Sequence, residues 1–81
     1  EPFPLNITGE DGAGLLLVKG GRALIIVTDF GNGGEYRIAV DRRVAKLKEN
    51  GKFSNVETGV ELPADCTFHL KKHDFIVIKY E

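Results

Sequence analysis

The sequence predicts an all-β protein, a small barrel or two-layer sandwich of about six to seven short antiparallel strands, with or without one short helix near residues 41–50. Three observations predict this class. Apolar runs are only four to five residues long, glycine pairs separate them, and residues 35–40 alternate apolar and polar side chains. With 81 residues, 42% hydrophobic and 28% charged, the chain has an ordinary globular composition, so we expect residues 1–81 to form one small β domain.

The first strand is predicted at residues 5–8, where Leu5 and Ile7 alternate with polar residues. Pro2 and Pro4 precede it, and proline is tolerated in a sheet mainly at an edge. We therefore expect residues 4–7 to form an exposed edge strand.

Two continuous apolar runs, residues 15–18 and residues 23–27, follow a glycine-rich loop. Gly20 and Gly21 stand between them and can adopt the positive φ angles of a tight hairpin turn. Because continuous apolarity is typical of strands buried on both faces, we expect these two strands to form the core.

Residues 29–34 read Asp-Phe-Gly-Asn-Gly-Gly. The first three letters match the magnesium-binding triplet of protein kinases, but the other kinase motifs are absent, so the segment is interpreted as a turn with Asp29 at a strand end. A hairpin turn here predicts Val27 opposite Ile38, and by the same register Ile25 opposite Val40.

Residues 41–63 allow two interpretations. The first is a helix over residues 41–50 with Asp41 as its N-cap, and the second is a hairpin that turns at residues 50–51 and pairs Ala45 with Val56. With the helix, the order of three strands, one helix and two strands resembles that of an OB-fold barrel, in the order of its elements alone.

The chain ends in two predicted strands, residues 67–70 and 75–80, which flank the segment Lys-Lys-His-Asp. We interpret them as a hairpin with Phe68 opposite Val77, and by the same register Leu70 opposite Phe75. Residues 75–78 are a second candidate for an exposed edge.

Composition and motifs argue against several classes of function. The formal net charge is −1, so no global field attracts nucleic acid or an anionic membrane, and no apolar run approaches the length of a membrane helix. The single Cys66 allows no disulfide within the chain. The one serine lies outside any nucleophile motif, so we expect neither an enzyme nor a cofactor.

Because the chain contains no methionine, we also expect it to be either processed or a fragment of a longer protein.

Cys66, His69 and His73 have a spacing similar to that of zinc ligands. On a strand, however, residues three apart point to opposite faces and lie about 10 Å from each other. We therefore reject these three residues as metal ligands and expect no metal.

Basic residues gather in two places and are the candidate binding residues: Arg42, Arg43, Lys46, Lys48 and Lys52 in the first, Lys71 and Lys72 in the second. Such side chains contact phosphates in nucleic-acid binders, where neighbouring aromatic rings stack on bases. One functional hypothesis is therefore a small OB-like barrel that binds single-stranded nucleic acid through the cluster at 42–52.

The leading hypothesis is a non-enzymatic interaction module. It would recognise a protein partner, or its own copies, through a sheet face or an edge strand. The absence of a recognisable catalytic motif and the apolar strands of so small a chain favour this interpretation.

Overall fold

The structure, a computed structural model, describes residues 4–9 and 11–81 and confirms the predicted all-β class. The described residues form no helix. Seven strands are present: β1 (Leu5–Thr8), β2 (Gly12–Lys19), β3 (Arg22–Asp29), β4 (Gly34–Val40), β5 (Phe53–Asn55), β6 (Thr67–Leu70) and β7 (Phe75–Tyr80). None of these residues belongs to a helix with the length and apolarity needed to cross a membrane.

The strands form two antiparallel sheets with the core between them. One sheet has the strand order β1-β4-β6 and the other β2-β3-β7-β5. Ile25 and Val27 of β3 are fully buried, and the register sets Ile25 beside the equally buried Ile78 of β7. From the three-stranded sheet, Tyr36 and Ile38 of β4 complete the centre of this core.

The hairpin between β2 and β3 is confirmed. Gly20 and Gly21 have φ angles of 59° and 79°, and Lys19 pairs with Arg22 across them. The expected burial on both faces is wrong for both strands, because only one face of this sheet meets the core. β3 is buried on that inward face and partly exposed on the other, whereas β2, at the edge of the sheet, is exposed at almost every residue.

The predicted hairpin at residues 29–34 is wrong. β3 pairs with β2 and β7, whereas β4 pairs with β1 and β6, so the segment carries the chain from one sheet to the other. Val27 consequently does not face Ile38, and Ile25 does not face Val40.

The predicted hairpin between β6 and β7 is wrong for the same reason. β6 pairs with β4, so Phe68 lies opposite Tyr36 rather than Val77, and Leu70 does not face Phe75. β7 lies inside its sheet, between β3 and β5, so residues 75–78 are not the expected edge. The other edge prediction is confirmed, because β1 lies at the end of the three-stranded sheet.

Two of the crossings between the sheets, β3–β4 and β6–β7, converge on the buried carboxylate of Asp29. Its Oδ2 accepts hydrogen bonds from the backbone N–H groups of Gly33 (3.0 Å) and His73 (2.9 Å), and its Oδ1 accepts one from the Tyr36 hydroxyl. The Tyr36 hydroxyl, the main cause, and the His73 N–H lower the pKa of Asp29, while the carboxylate raises the pKa of Tyr36 to about 12. The carboxylate therefore binds the β3–β4 turn and the β6–β7 turn together, which favours the crossing of both segments between the sheets.

Residues 41–50 form irregular turns, so the predicted helix is wrong, although its predicted N-cap, Asp41, makes the hydrogen bonds of a cap. Asp41 Oδ1 accepts hydrogen bonds from the N–H groups of Arg43 (3.1 Å) and Val44 (3.2 Å), as an N-cap does. Lys46 then adopts a φ of 57°, which ends the helical course after one turn. Without a helix, the element order no longer resembles that of an OB-fold barrel.

The hairpin alternative for the same segment is also wrong. The N–H of Lys52 donates to the carbonyl of Glu81 (3.0 Å), and the N–H of Glu81 donates back (3.1 Å). The N–H of Val56, the expected partner of Ala45, donates to the carbonyl of Val77 (2.9 Å). The segment after residue 51 therefore pairs with β7.

Candidate interaction surfaces

The outer face of the four-stranded sheet is apolar across three adjacent strands. Leu24 and Ile26 of β3 alternate with the buried residues of that strand and so point away from the core. The register places Leu17 opposite Leu24, and both Leu15 and Val77 opposite Ile26. Directly paired residues share one face of a sheet, so these five side chains are contiguous.

This surface, with Phe75 added beyond Val77, is the outer apolar face: Leu15, Leu17, Leu24, Ile26, Phe75 and Val77. Leu15 is 52% exposed, Leu17 51% and Phe75 59%. Isolated exposed apolar residues are normal, whereas a contiguous group on one sheet face is typical of an interaction site.

Charged residues differ between the two ends of the outer apolar face. A cleft of about 320 Å³ at one end is lined by Lys19, Arg22, Lys79 and Glu81, three cations and one anion. The residues lining the cleft at the other end include Glu57 and Asp74 and no cation. The linings therefore carry +3 − 1 = +2 and −2, respectively.

Arg42, Arg43, Lys46 and Lys48 line one groove of about 490 Å³, together with Leu47, Glu49 and Asn50, and this is named the basic groove. The structure thus brings together four of the five predicted cations of the first cluster. Lys52 is separate, since its ammonium lies 3.8 Å from the carboxylate of Glu61 and it does not line the groove. Lys71 and Lys72, near the β6–β7 turn, are exposed and also lie outside that lining.

Two described aromatic rings beside the basic groove, those of Tyr80 and Phe53, are buried. The guanidinium of Arg42 lies 5.2 Å from the ring centroid of Tyr80 and 5.8 Å from that of Phe53, within cation–π range. Tyr80 is fully buried and Phe53 is 8% exposed. Two other aromatic residues, Tyr36 and Phe68, stack on each other in the three-stranded sheet, with ring centroids 6.1 Å apart.

Three hydrogen bonds tie the backbone of the basic groove to the sheet. The Tyr80 hydroxyl donates to the carbonyl of Lys48 (2.7 Å) and accepts from the N–H of Gly51 (3.0 Å). The N–H of Lys48 donates to the carbonyl of Gly21 in the β2–β3 turn (2.9 Å). These bonds therefore attach the C-terminal end of the groove to the four-stranded sheet and its β2–β3 turn.

Cys66, His69 and His73 occupy different surroundings. Cys66 precedes β6 and is partly buried, and this burial raises the pKa of its thiol. His69 is exposed on β6 opposite Glu35, while His73 lies in a turn where its N–H binds Asp29. Within residues 4–9 and 11–81, no group of three or more His, Cys, Asp or Glu side chains is arranged to hold a metal ion.

Sequence reasoning missed Asp29 as a buried carboxylate and missed the outer apolar face. A signal for Asp29 is present, because residue 29 is in phase with Ile25 and Val27 on the inward face of one strand. The outer apolar face depends on the strand order, which no local pattern contains.

Comparison of the chain with protein-family models, curated proteins and solved structures finds no significant match.

Proposed function

We propose that the protein is a non-enzymatic interaction module that associates with a second copy of itself through the outer apolar face. The observation that carries the proposal is the contiguous placement of apolar side chains on three strands, with Leu15, Leu17 and Phe75 each more than half exposed. Covering such a surface removes apolar area from water, the main driving force of protein association.

The distribution of charge favours a second copy as the occupant. The two-fold axis of such a dimer would lie in the plane between the outer apolar faces of the two copies, at right angles to the strands. It reverses the strand direction of one copy relative to the other. The end of the face with Lys19, Arg22 and Lys79 then lies over the end with Glu57 and Asp74, and the same match occurs at the other end of the interface. One surface therefore complements itself, as an isologous dimer requires.

The area of the face predicts a weak dimer. The four strands of this sheet have eight, eight, six and three residues, and at about 3.3 Å per residue and about 4.8 Å between strands they cover roughly 400 Å² per copy, or roughly 800 Å² per pair. Stable specific interfaces bury about 1,200 Å² or more, and smaller ones belong to transient complexes. We expect association that increases with protein concentration rather than a permanent dimer.

Sedimentation velocity over a concentration series, up to about millimolar, tests the proposal. Leu17→Lys places a charge within the outer apolar face and should weaken association strongly, because an unpaired charge covered by a second copy loses its water without a partner. Val44→Lys is the matched control, since Val44 is 45% exposed, lies outside the β2-β3-β7-β5 sheet and receives the same charge. It should associate as the wild type does.

A wild-type chain that stays monomeric throughout the series would remove the self-association. So would equal association of Leu17→Lys and the wild type. If the isolated chain is monomeric but a different protein binds it in a manner sensitive to Leu17→Lys, the surface is an interface for that protein and not for a second copy.

Single-stranded nucleic acid, the alternative hypothesis, has one favourable observation, the gathering of four cations in the basic groove. Sequence-tolerant binding of single strands also uses exposed aromatic rings, and the rings beside this groove are buried. The alternative would depend on phosphate contacts alone, and it is removed if a mixed-sequence oligonucleotide fails to bind at low salt.

A further inference from the structure

The basic groove has the features of an anion site that the self-association does not use. Among the described residues, none of Arg42, Arg43, Lys46 and Lys48 forms an ion pair, whereas the cations Arg22, Lys52 and Lys79 each lie within 4.0 Å of a carboxylate. With Glu49 also in the lining, the groove carries +4 − 1 = +3. Four cations close together and unpaired repel one another, so an anion bound between them would relieve that repulsion.

One of the four cations is already oriented. The guanidinium of Arg42 is held over the rings of Tyr80 and Phe53, which restricts its rotamers before any ligand arrives. A planar guanidinium offers paired donors that match phosphate geometry, and orienting it in advance reduces the entropy lost on binding. The hydrogen bonds of the Tyr80 hydroxyl with Lys48 and Gly51 likewise hold the backbone of the groove in place before a ligand binds.

We propose that the basic groove binds a compact ligand with two adjacent phosphoryl groups. Two such groups carry roughly −3 to −4, which matches the charge of the groove, whereas one carries only about −2. The two described rings beside the groove, Tyr80 and Phe53, are buried and offer a base no stacking surface, so the phosphoryl groups, rather than a nucleobase, are what the groove recognises.

The test is a titration of the full chain with inorganic pyrophosphate at low salt, followed by amide chemical shifts. We expect shifts concentrated at residues 42–51. Arg42→Gln should weaken binding about tenfold, since charge-assisted hydrogen bonds are the stronger kind. Lys46→Gln should weaken it about threefold, as an exposed ion pair does. Lys71→Gln with Lys72→Gln is the control, with two cations removed outside the groove and an unchanged affinity expected.

Several results would overturn the proposal. These are the absence of shifts at low salt, equal weakening by the control pair and by the groove variants, and binding of orthophosphate as tight as that of pyrophosphate. Tighter binding of a mixed-sequence oligonucleotide at the same amides would assign the groove to nucleic acid instead. Should Arg42→Gln fail to fold, Lys46→Gln decides the question, because Lys46 is exposed on an irregular turn. Self-association is measured by sedimentation velocity, in a separate experiment. A negative result in the pyrophosphate titration therefore does not contradict the proposed dimer.

Discussion

Replacing Tyr80 with phenylalanine tests how the basic groove is attached to the sheet. The ring of Tyr80 is fully buried against Phe53, with centroids 4.7 Å apart, and phenylalanine preserves this packing. The substitution removes only the hydroxyl. Both hydrogen bonds of that hydroxyl, to the carbonyl of Lys48 and from the N–H of Gly51, are lost together.

The expected cost follows from these two bonds. A single hydrogen bond contributes about 0.5–1.5 kcal/mol net, and a buried group left without a partner costs about 1–3 kcal/mol. Both partners here are only partly buried, so water replaces part of what is lost. We expect the free energy of unfolding to fall by about 2 kcal/mol, with the Tm lower by about 8–16 °C for a domain of this size.

Urea denaturation followed by circular dichroism measures the change in free energy, and amide hydrogen exchange locates it. Exchange at Gly51 should accelerate well beyond the change at core amides such as that of Ile25, because the hydroxyl is the acceptor for that N–H. A loss below about 0.5 kcal/mol, or exchange at Gly51 that changes no more than exchange at Ile25, would refute the assigned role of Tyr80.

Two further predictions concern Asp29 and Gly14, a residue of β2 that packs against β1. The pKa of Asp29 is lowered in the folded state, so its stabilising effect is complete above its unfolded pKa of about 3.9 and is lost as pH falls through the lower folded value. In acid titrations by circular dichroism, the wild type should lose stability below about pH 4 more steeply than Asp29→Asn, and superimposable slopes would contradict this. A Cβ at Gly14 would overlap the terminal methyl group of Ile7, and because that side chain can turn partly away, Gly14→Ala should cost about 1 kcal/mol in urea denaturation. Ala13→Val, on the opposite face of the same strand, should change stability by less than about 0.5 kcal/mol, and equal costs for the two variants would show that the close approach is unimportant.

Local patterns were enough to predict the all-β class, the β2–β3 hairpin and the edge position of β1. They failed at the β3–β4 and β6–β7 segments, because the turn residues of both permit a hairpin within one sheet as readily as a crossing between the two sheets. The choice between them is made by Asp29, whose carboxylate binds an N–H four residues away and another 44 residues away. No local pattern contains that second contact.

In residues 41–50, which form the basic groove, local patterns again predicted one feature correctly and missed the effect of a contact distant in the sequence. Asp41 does cap a turn, as its position predicts, but the turn does not continue because Lys46 adopts a left-handed conformation and the hydroxyl of Tyr80, 32 residues away, binds Lys48. Four cations nevertheless meet in one groove, since they are neighbours in the chain. Lys52 does not join them, because its backbone pairs with Glu81.

The exposed strand β2 connects the failed burial prediction with the proposed function. Four consecutive apolar residues, 15–18, predict a strand covered on both faces, yet in the single chain the core covers only one. The outer face of a two-sheet structure faces solvent, so the second cover must come from outside the chain or be absent. A face-to-face dimer would supply it for Leu15 and Leu17, which belong to the outer apolar face, and not for Val18, which shares the inward face with Ala23. Protection of Leu15 and Leu17 from solvent at high concentration, with Val18 unchanged, would therefore distinguish the proposed dimer from an edge-to-edge pairing of β2.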